Sequence, residues 1–189
     1  MGRLSTAALI LSLLIAAPGL IASPAQADQD DPRLDRLFDR LENAGNRGQA
    51  QVIAGRIWSI WFQHPDGYVE ALLRQGREAL RDDDLEGAYI AFDDAIRKAP
   101  GFAEGWNARA TVNYQMGNYQ RALADIRRTL TLEPRHFGAL SGRGLCYLAL
   151  DRPQKALEAF QASLEVHPYQ PGVKAKVREL KAELDARDL

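Results

Sequence analysis

The sequence predicts an all-α protein: a short solenoid of antiparallel helix pairs closed by a C-terminal capping helix. The first observation is a register. Ala88, Ala122 and Ala156 lie 34 residues apart, as do Pro100, Pro134 and Pro168, and Gly76, Ala110 and Gly144. Leu72, Trp106 and Leu140 share that period, and so do Phe92, Ile126 and Phe160. The second observation is that each period holds two stretches with apolar residues at helical spacing, separated by a turn cluster. The third is a final amphipathic stretch after Pro171, of the kind a repeat array needs to cover its exposed end.

Each position in the register has a physical reason. The first helix of a unit, such as 103–116, carries a small residue (Gly76, Ala110 or Gly144) where a second helix must approach closely. The turns are Asp82-Asp83-Asp84, Gly117-Asn118 and Asp151-Arg152-Pro153, all turn and cap residues. Asp82–Asp84 lacks the spaced acids of a calcium loop and reads as the cap of the helix that follows. On the second helix, Ala88, Ala122 and Ala156 face inward, with Phe92, Ile126 or Phe160 one turn on. The proline then ends the helix and opens the link to the next unit.

A 34-residue pair of helices with these residues resembles the tetratricopeptide repeat. The second unit shows it best: Trp106-Asn-Ala-Arg-Ala110, Asn113-Tyr-Gln-Met-Gly117-Asn-Tyr119 and Arg121-Ala-Leu-Ala-Asp125. The departures are Arg109 and Arg143, where the family often has leucine, and Asn113 and Ala79, where it often has tyrosine. The resemblance implies a right-handed solenoid with repeats at 69–102, 103–136 and 137–170. Arg109 and Arg143 are expected to make salt bridges inside the stack, Arg109 with Asp125 or Asp94, rather than to form a ligand pair.

Residues 28–68 read as a degenerate helical pair preceding these units, because Pro65 falls one residue off the period. Leu34, Leu37, Phe38 and Leu41 form one stripe behind an Asp30-Asp31-Pro32 cap, and Ile53, Ile57, Ile60 and Trp61 form the other. Trp58 and Trp61 are expected to pack on the first repeat near Leu72 and Gly76; the alternative is an exposed aromatic patch that docks a partner. Residues 171–189 form the capping helix, with Val173, Val177, Leu180 and Leu184 inward. Its basic face suits a membrane surface only weakly, because Glu179 and Glu183 dilute it.

Residues 1–27 have the layout of a bacterial secretory signal peptide. Arg3 precedes an apolar run to Ala17, Pro18-Gly19 breaks it, and Ala25-Gln-Ala27 supplies a cleavage site after Ala27. An uncleaved anchor is the competing reading. The expected location is therefore the periplasm.

The net charge of −1 argues against nucleic-acid binding, and a single cysteine, Cys146, excludes an intramolecular disulfide. No phosphate loop, zinc-helix motif or nucleophile elbow is present, so neither an enzyme nor a cofactor is expected. His64 and His167 sit beside prolines and His136 two residues after one, all in the inter-repeat links, and they read as structural. Cys146 reads as a small buried residue.

By family resemblance the groove of the array binds a segment of another protein. Carried over by register, the lining is Leu73, Arg77, Leu80 and Arg81 in the first unit. In the second it is Asn107, Thr111, Tyr114 and Gln115, and in the third Ser141, Leu145 and Leu148. It grades from basic to apolar. The family branch that clamps a terminal carboxylate uses sites held here by Leu73, Arg77, Ala108, Gly138 and Gly142, of which only Arg77 is suitable. The expected function is thus a protein-interaction scaffold or assembly factor. The alternative is a module that self-associates or attaches to peptidoglycan or membrane.

Overall fold

The computed structural model describes residues 29–187, so the expected signal peptide lies outside the described residues. Among these are nine helices and no strand. They are α1 (Arg33–Glu42), α2 (Arg47–Trp61), α3 (Gly67–Arg81), α4 (Leu85–Lys98), α5 (Ala103–Gln115), α6 (Tyr119–Leu132), α7 (Phe137–Ala149), α8 (Pro153–Val166) and α9 (Pro171–Arg187). The pairs α3–α4, α5–α6 and α7–α8 stack in chain order, and α9 packs on α8. The first helices touch one another, α3 on α5 and α5 on α7, and so line the inner side of the array.

The small residues of the register are each sized to the side chain they face. A methyl group on Gly144 would lie 2.5 Å from Phe160 Cε1, and one on Gly76 would overlap the Phe92 ring. Only glycine permits that approach. In the middle unit the partner is Ile126, which is smaller at this contact, and Ala110 is tolerated. Phe92 and Phe160 are fully buried as a result.

The turns inside the three pairs share one backbone solution. Asp83 (φ 61°), Gly117 (φ 76°) and Asp151 (φ 53°) occupy the left-handed region at the same register position. Aspartate and glycine are among the residues that adopt it at least cost. Asp84 then caps α4 by accepting from Gly87 N at 2.9 Å, the capping role read from the Asp82–Asp84 cluster.

Arg109 joins two units. Its guanidinium makes a paired contact with Asp125, 3.0 Å from Nε and 2.7 Å from Nη2, and its Nη1 donates to Asp93. The expected partner Asp94 instead pairs with Arg97. Asn113 donates to the same Asp125 carboxylate at 3.0 Å. Hydrogen bonding to Asp125 raises the Arg109 pKa above its ordinary value. Arg143 has no ion-pair partner among the described residues, because its register equivalents of Asp93 and Asp125 are Arg127 and Ala159.

The N-terminal pair does not continue the stack. On α5 and α7, Ala108 with Val112 and Gly142 with Cys146 form the face that receives the preceding helix; Val112 and Cys146 are buried. On α3 the same register holds Arg74 and Glu78, both exposed beside Gln75. A charged face offers an apolar helix nothing to bury against. The α1–α2 hairpin therefore folds back over the array, and its core of Leu34, Leu37, Phe38, Leu41, Ile53, Ile57, Ile60 and Trp61 takes in Phe137 of the third repeat. Trp58 and Trp61 lie there, not near Leu72 and Gly76.

Phe92→Ala is expected to destabilise the protein by about 3–5 kcal/mol, as a truncated core aromatic facing a glycine. Chemical denaturation checks it, and an unchanged midpoint would show that the register is misread.

Candidate functional site

The inner side of the array carries the candidate site, and the hairpin determines how much of it is open. Trp61, 1% exposed, stacks on His136 with ring centroids 4.1 Å apart and planes 8° from parallel. Trp58 meets Phe137 edge to face at 5.5 Å and overlies Gly138, where a methyl group would lie 2.7 Å from its indole. Arg135 lies 4.2 Å over the Phe38 ring and pairs with Asp35 at 2.9 Å. The Tyr169 hydroxyl donates to Ala44 O. Gln29 donates to Gly101 O at 2.8 Å and accepts from Ala103 N at 3.1 Å, fixing the chain ahead of α1 to the link before the second repeat.

The histidines are structural anchors of the links. His136 Nδ1 accepts from Ala139 N at 3.0 Å, capping α7. Its Nε2 therefore carries the proton and donates to Glu104 Oε2 at 3.1 Å. Both side chains are buried. Glu104 also accepts from Asn107 Nδ2 at 3.1 Å. A polar chain thus runs from the groove residue Asn107 through Glu104 and His136 to the face of Trp61. Glu104 and His136 are 32 residues apart, and no motif marks the pair. His64 Nδ1 accepts from Asp66 N at 3.1 Å, and burial lowers the His167 pKa below its ordinary value.

The expected groove residues do not all reach one surface. Asn107, Thr111, Tyr114, Ser141 and Leu145 line one cavity of about 180 Å³ between α5 and α7, floored by Ala110, Ile126 and Cys146. A second crevice of about 480 Å³ lies between α2 and α7 and shares Gly138 and Ser141 with the first, so the two form one furrow. Arg77 is displaced from this lining. Its guanidinium sits 5.0 Å over the Phe62 ring, and burial lowers its pKa although Glu104 opposes the shift. Arg81 and Gln115 are exposed at helix ends outside the cavity, and Leu148 packs toward α8 and α9. Leu73 and Leu80 pack in the first repeat's core, Leu73 fully buried, so neither belongs to the lining cavity. Cys146 is buried, which pushes its thiol up to about 11. No group of three His, Cys, Asp or Glu side chains that could hold a metal ion occurs among the described residues.

A tetratricopeptide-repeat family model matches residues 73–125 and 107–171, together more than half of the chain. The chain belongs to the tetratricopeptide-repeat family. A TPR repeat-containing protein of Rhizobium etli is 35% identical over 136 residues, which is 72% of this chain and 67% of that protein. The small glutamine-rich tetratricopeptide repeat-containing protein 2 of Saccharomyces cerevisiae is 29% identical over 51% of this chain but only 28% of its own length. Among solved structures, the TPR2B domain of yeast Sti1, in a complex with pHsp70, has a TM-score of 0.59 at 20% identity. It covers 62% of this chain and 99% of the Sti1 domain. The shared repeats account for α3–α8; the back-folded hairpin is what narrows the inner side of this tetratricopeptide array.

Trp61→Ala is expected to cost about 3–5 kcal/mol and to release the hairpin. Hydrogen exchange should rise in α1 and α2 more than in α5–α8; a uniform rise would contradict a separately docked hairpin. The lowered His167 pKa gives a second expectation. The unfolded chain takes up that proton more readily, so stability falls as pH drops through about 6.5 toward the lower folded value. Urea midpoints at about pH 7.5 and 5.5 should differ more in the parent than in His167→Gln, and equal differences would remove His167 as the source.

Proposed function

We propose that the protein is a scaffold that holds a segment of a partner protein in the open part of its groove, in the periplasm of its host. The observation that carries the proposal is the furrow between α5 and α7. It combines an apolar floor of Ala110, Ile126 and Cys146, with Leu145 exposed at its edge, and the polar groups of Asn107, Thr111, Tyr114 and Ser141. Few fixed polar groups over an apolar floor suit a peptide whose backbone is hydrogen-bonded and whose side chains are buried. The Sti1 domain of the same fold was solved with pHsp70, which supports a protein segment as ligand. A terminal-carboxylate clamp is not the mode: Leu73 is in the core, Gly138 lies under Trp58, and Arg77 lies against Phe62.

The periplasmic location rests on the basic, apolar and small-residue layout of residues 1–27. The alternative of self-association or envelope attachment leans on Trp58, Trp61 and α9. Trp61 is buried and Trp58 half-buried against α7, which leaves that alternative the last helix alone.

A photo-crosslinking residue at position 145 is expected to capture a specific envelope protein in cells. Tyr114→Ala should weaken that partner's binding by about tenfold, the loss of about 1.4 kcal/mol. Equal affinity in the parent, Tyr114→Ala and Ser141→Arg would sink the groove assignment. N-terminal sequencing of the envelope fraction should begin at Asp28.

A further inference from the structure

The outer side of the hairpin carries a second recess that no repeat contributes to. Arg33, Arg36, Leu37 and Arg40 of α1 face Arg56, Ser59 and Ile60 of α2, and Gln63 just beyond its end, across a cleft of about 400 Å³. Helical geometry, about 100° per residue, puts the three α1 arginines on one edge of its apolar stripe and Asp35, Asp39 and Glu42 on the other. Asp35 is accordingly used toward the array, in the pair with Arg135. Arg33 is held by Asp31 at 2.6 Å, whereas Arg36, Arg40 and Arg56 have no ion-pair partner among the described residues. Like charges on both walls of one cleft repel one another, and an anion between them relieves the repulsion.

We propose that this cleft binds an acidic segment of a partner protein, at a site separate from the inner groove. The shape of the charge favours a peptide over a single phosphate. Arg36 and Arg40 are four residues apart on α1, a rise of roughly 6 Å, with Arg56 on the facing wall, so the uncompensated guanidinia are spread along the cleft. Alternate side chains of an extended chain recur about every 7 Å on one face, which brings successive carboxylates to successive arginines. Leu37 and Ile60 floor the cleft and are nearly buried, and the Ser59 hydroxyl and Gln63 amide offer partners to a peptide backbone. Val52, 59% exposed and one turn before Arg56, extends this face with an apolar contact. A bilayer would meet the rim of the recess and leave its floor unfilled.

The test is fluorescence anisotropy of the purified protein with a fluorescein-labelled penta-glutamate peptide. Binding is expected at low salt and should weaken as ionic strength rises. Arg40→Gln and Arg56→Gln should each weaken it by about two- to fivefold, and the double variant by about tenfold. Both side chains are exposed, and an unchanged melting temperature shows that each variant is folded. Tyr114→Ala, in the inner groove, should leave peptide binding unchanged, so this site and the groove succeed or fail independently. Salt-insensitive binding, or equal binding by the double variant, overturns the proposal. So does displacement of the peptide by inorganic phosphate at equal ionic strength, or preferential binding to phosphatidylglycerol vesicles.

Discussion

The functional geometry of this protein depends on the stack of Trp61 on His136. Through that contact the α1–α2 hairpin is attached to the start of α7 rather than to α3, and the inner surface of the array is divided between a covered part and an open part. The stack is supported from both sides. His136 is fixed by its cap on α7 and by Glu104, and Trp61 is fixed by the hairpin core into which Phe137 inserts. Because Glu104 also holds Asn107, the position of the hairpin and the polar lining of the open cavity belong to one connected set of side chains.

The array beneath is built on size matching between neighbouring helices. Phenylalanine opposite glycine and isoleucine opposite alanine keep the helix pairs close, with little void. Arg109, shared between Asp93 and Asp125, locks the first two units in register. The third unit has lost that lock, since Arg127 and Ala159 replace the carboxylates, and Ser163 hydrogen-bonds the Phe137 carbonyl across its own helix pair instead. Gln170 then ties α9 to the end of α8 by donating to the carbonyls of Ser163 and His167.

Two surfaces of opposite character result. The inner furrow is polar at its rim and apolar at its floor. The outer cleft of the hairpin is cationic and lies on a different pair of helices. A partner carrying both an extended apolar-and-polar stretch and an acidic stretch could occupy both, and joining the two would raise the effective concentration of each for its own site.

The sequence by itself determined the helices and their order. A 34-residue period in Gly76, Ala110 and Gly144 and in the link prolines can be satisfied only by stacked pairs, because backbone conformation and close helix contacts are local or register-bound. It also determined the caps and turns, since Asp84, Gly117 and Asp151 act within a few residues of themselves. The residues that line the inner cavity, Asn107, Thr111, Tyr114, Ser141 and Leu145, were legible from the family resemblance carried over by register. Only the tertiary structure decided where the hairpin goes. Its apolar stripe states that it must be buried but not against what. The charged face of α3, at Arg74 and Glu78, held the one available clue. It likewise decided that Arg77 turns onto Phe62, that Leu73 belongs to the core, and that Glu104 meets His136. Those contacts join residues distant in sequence through complementary shape and charge, and a period in the chain carries no information about them.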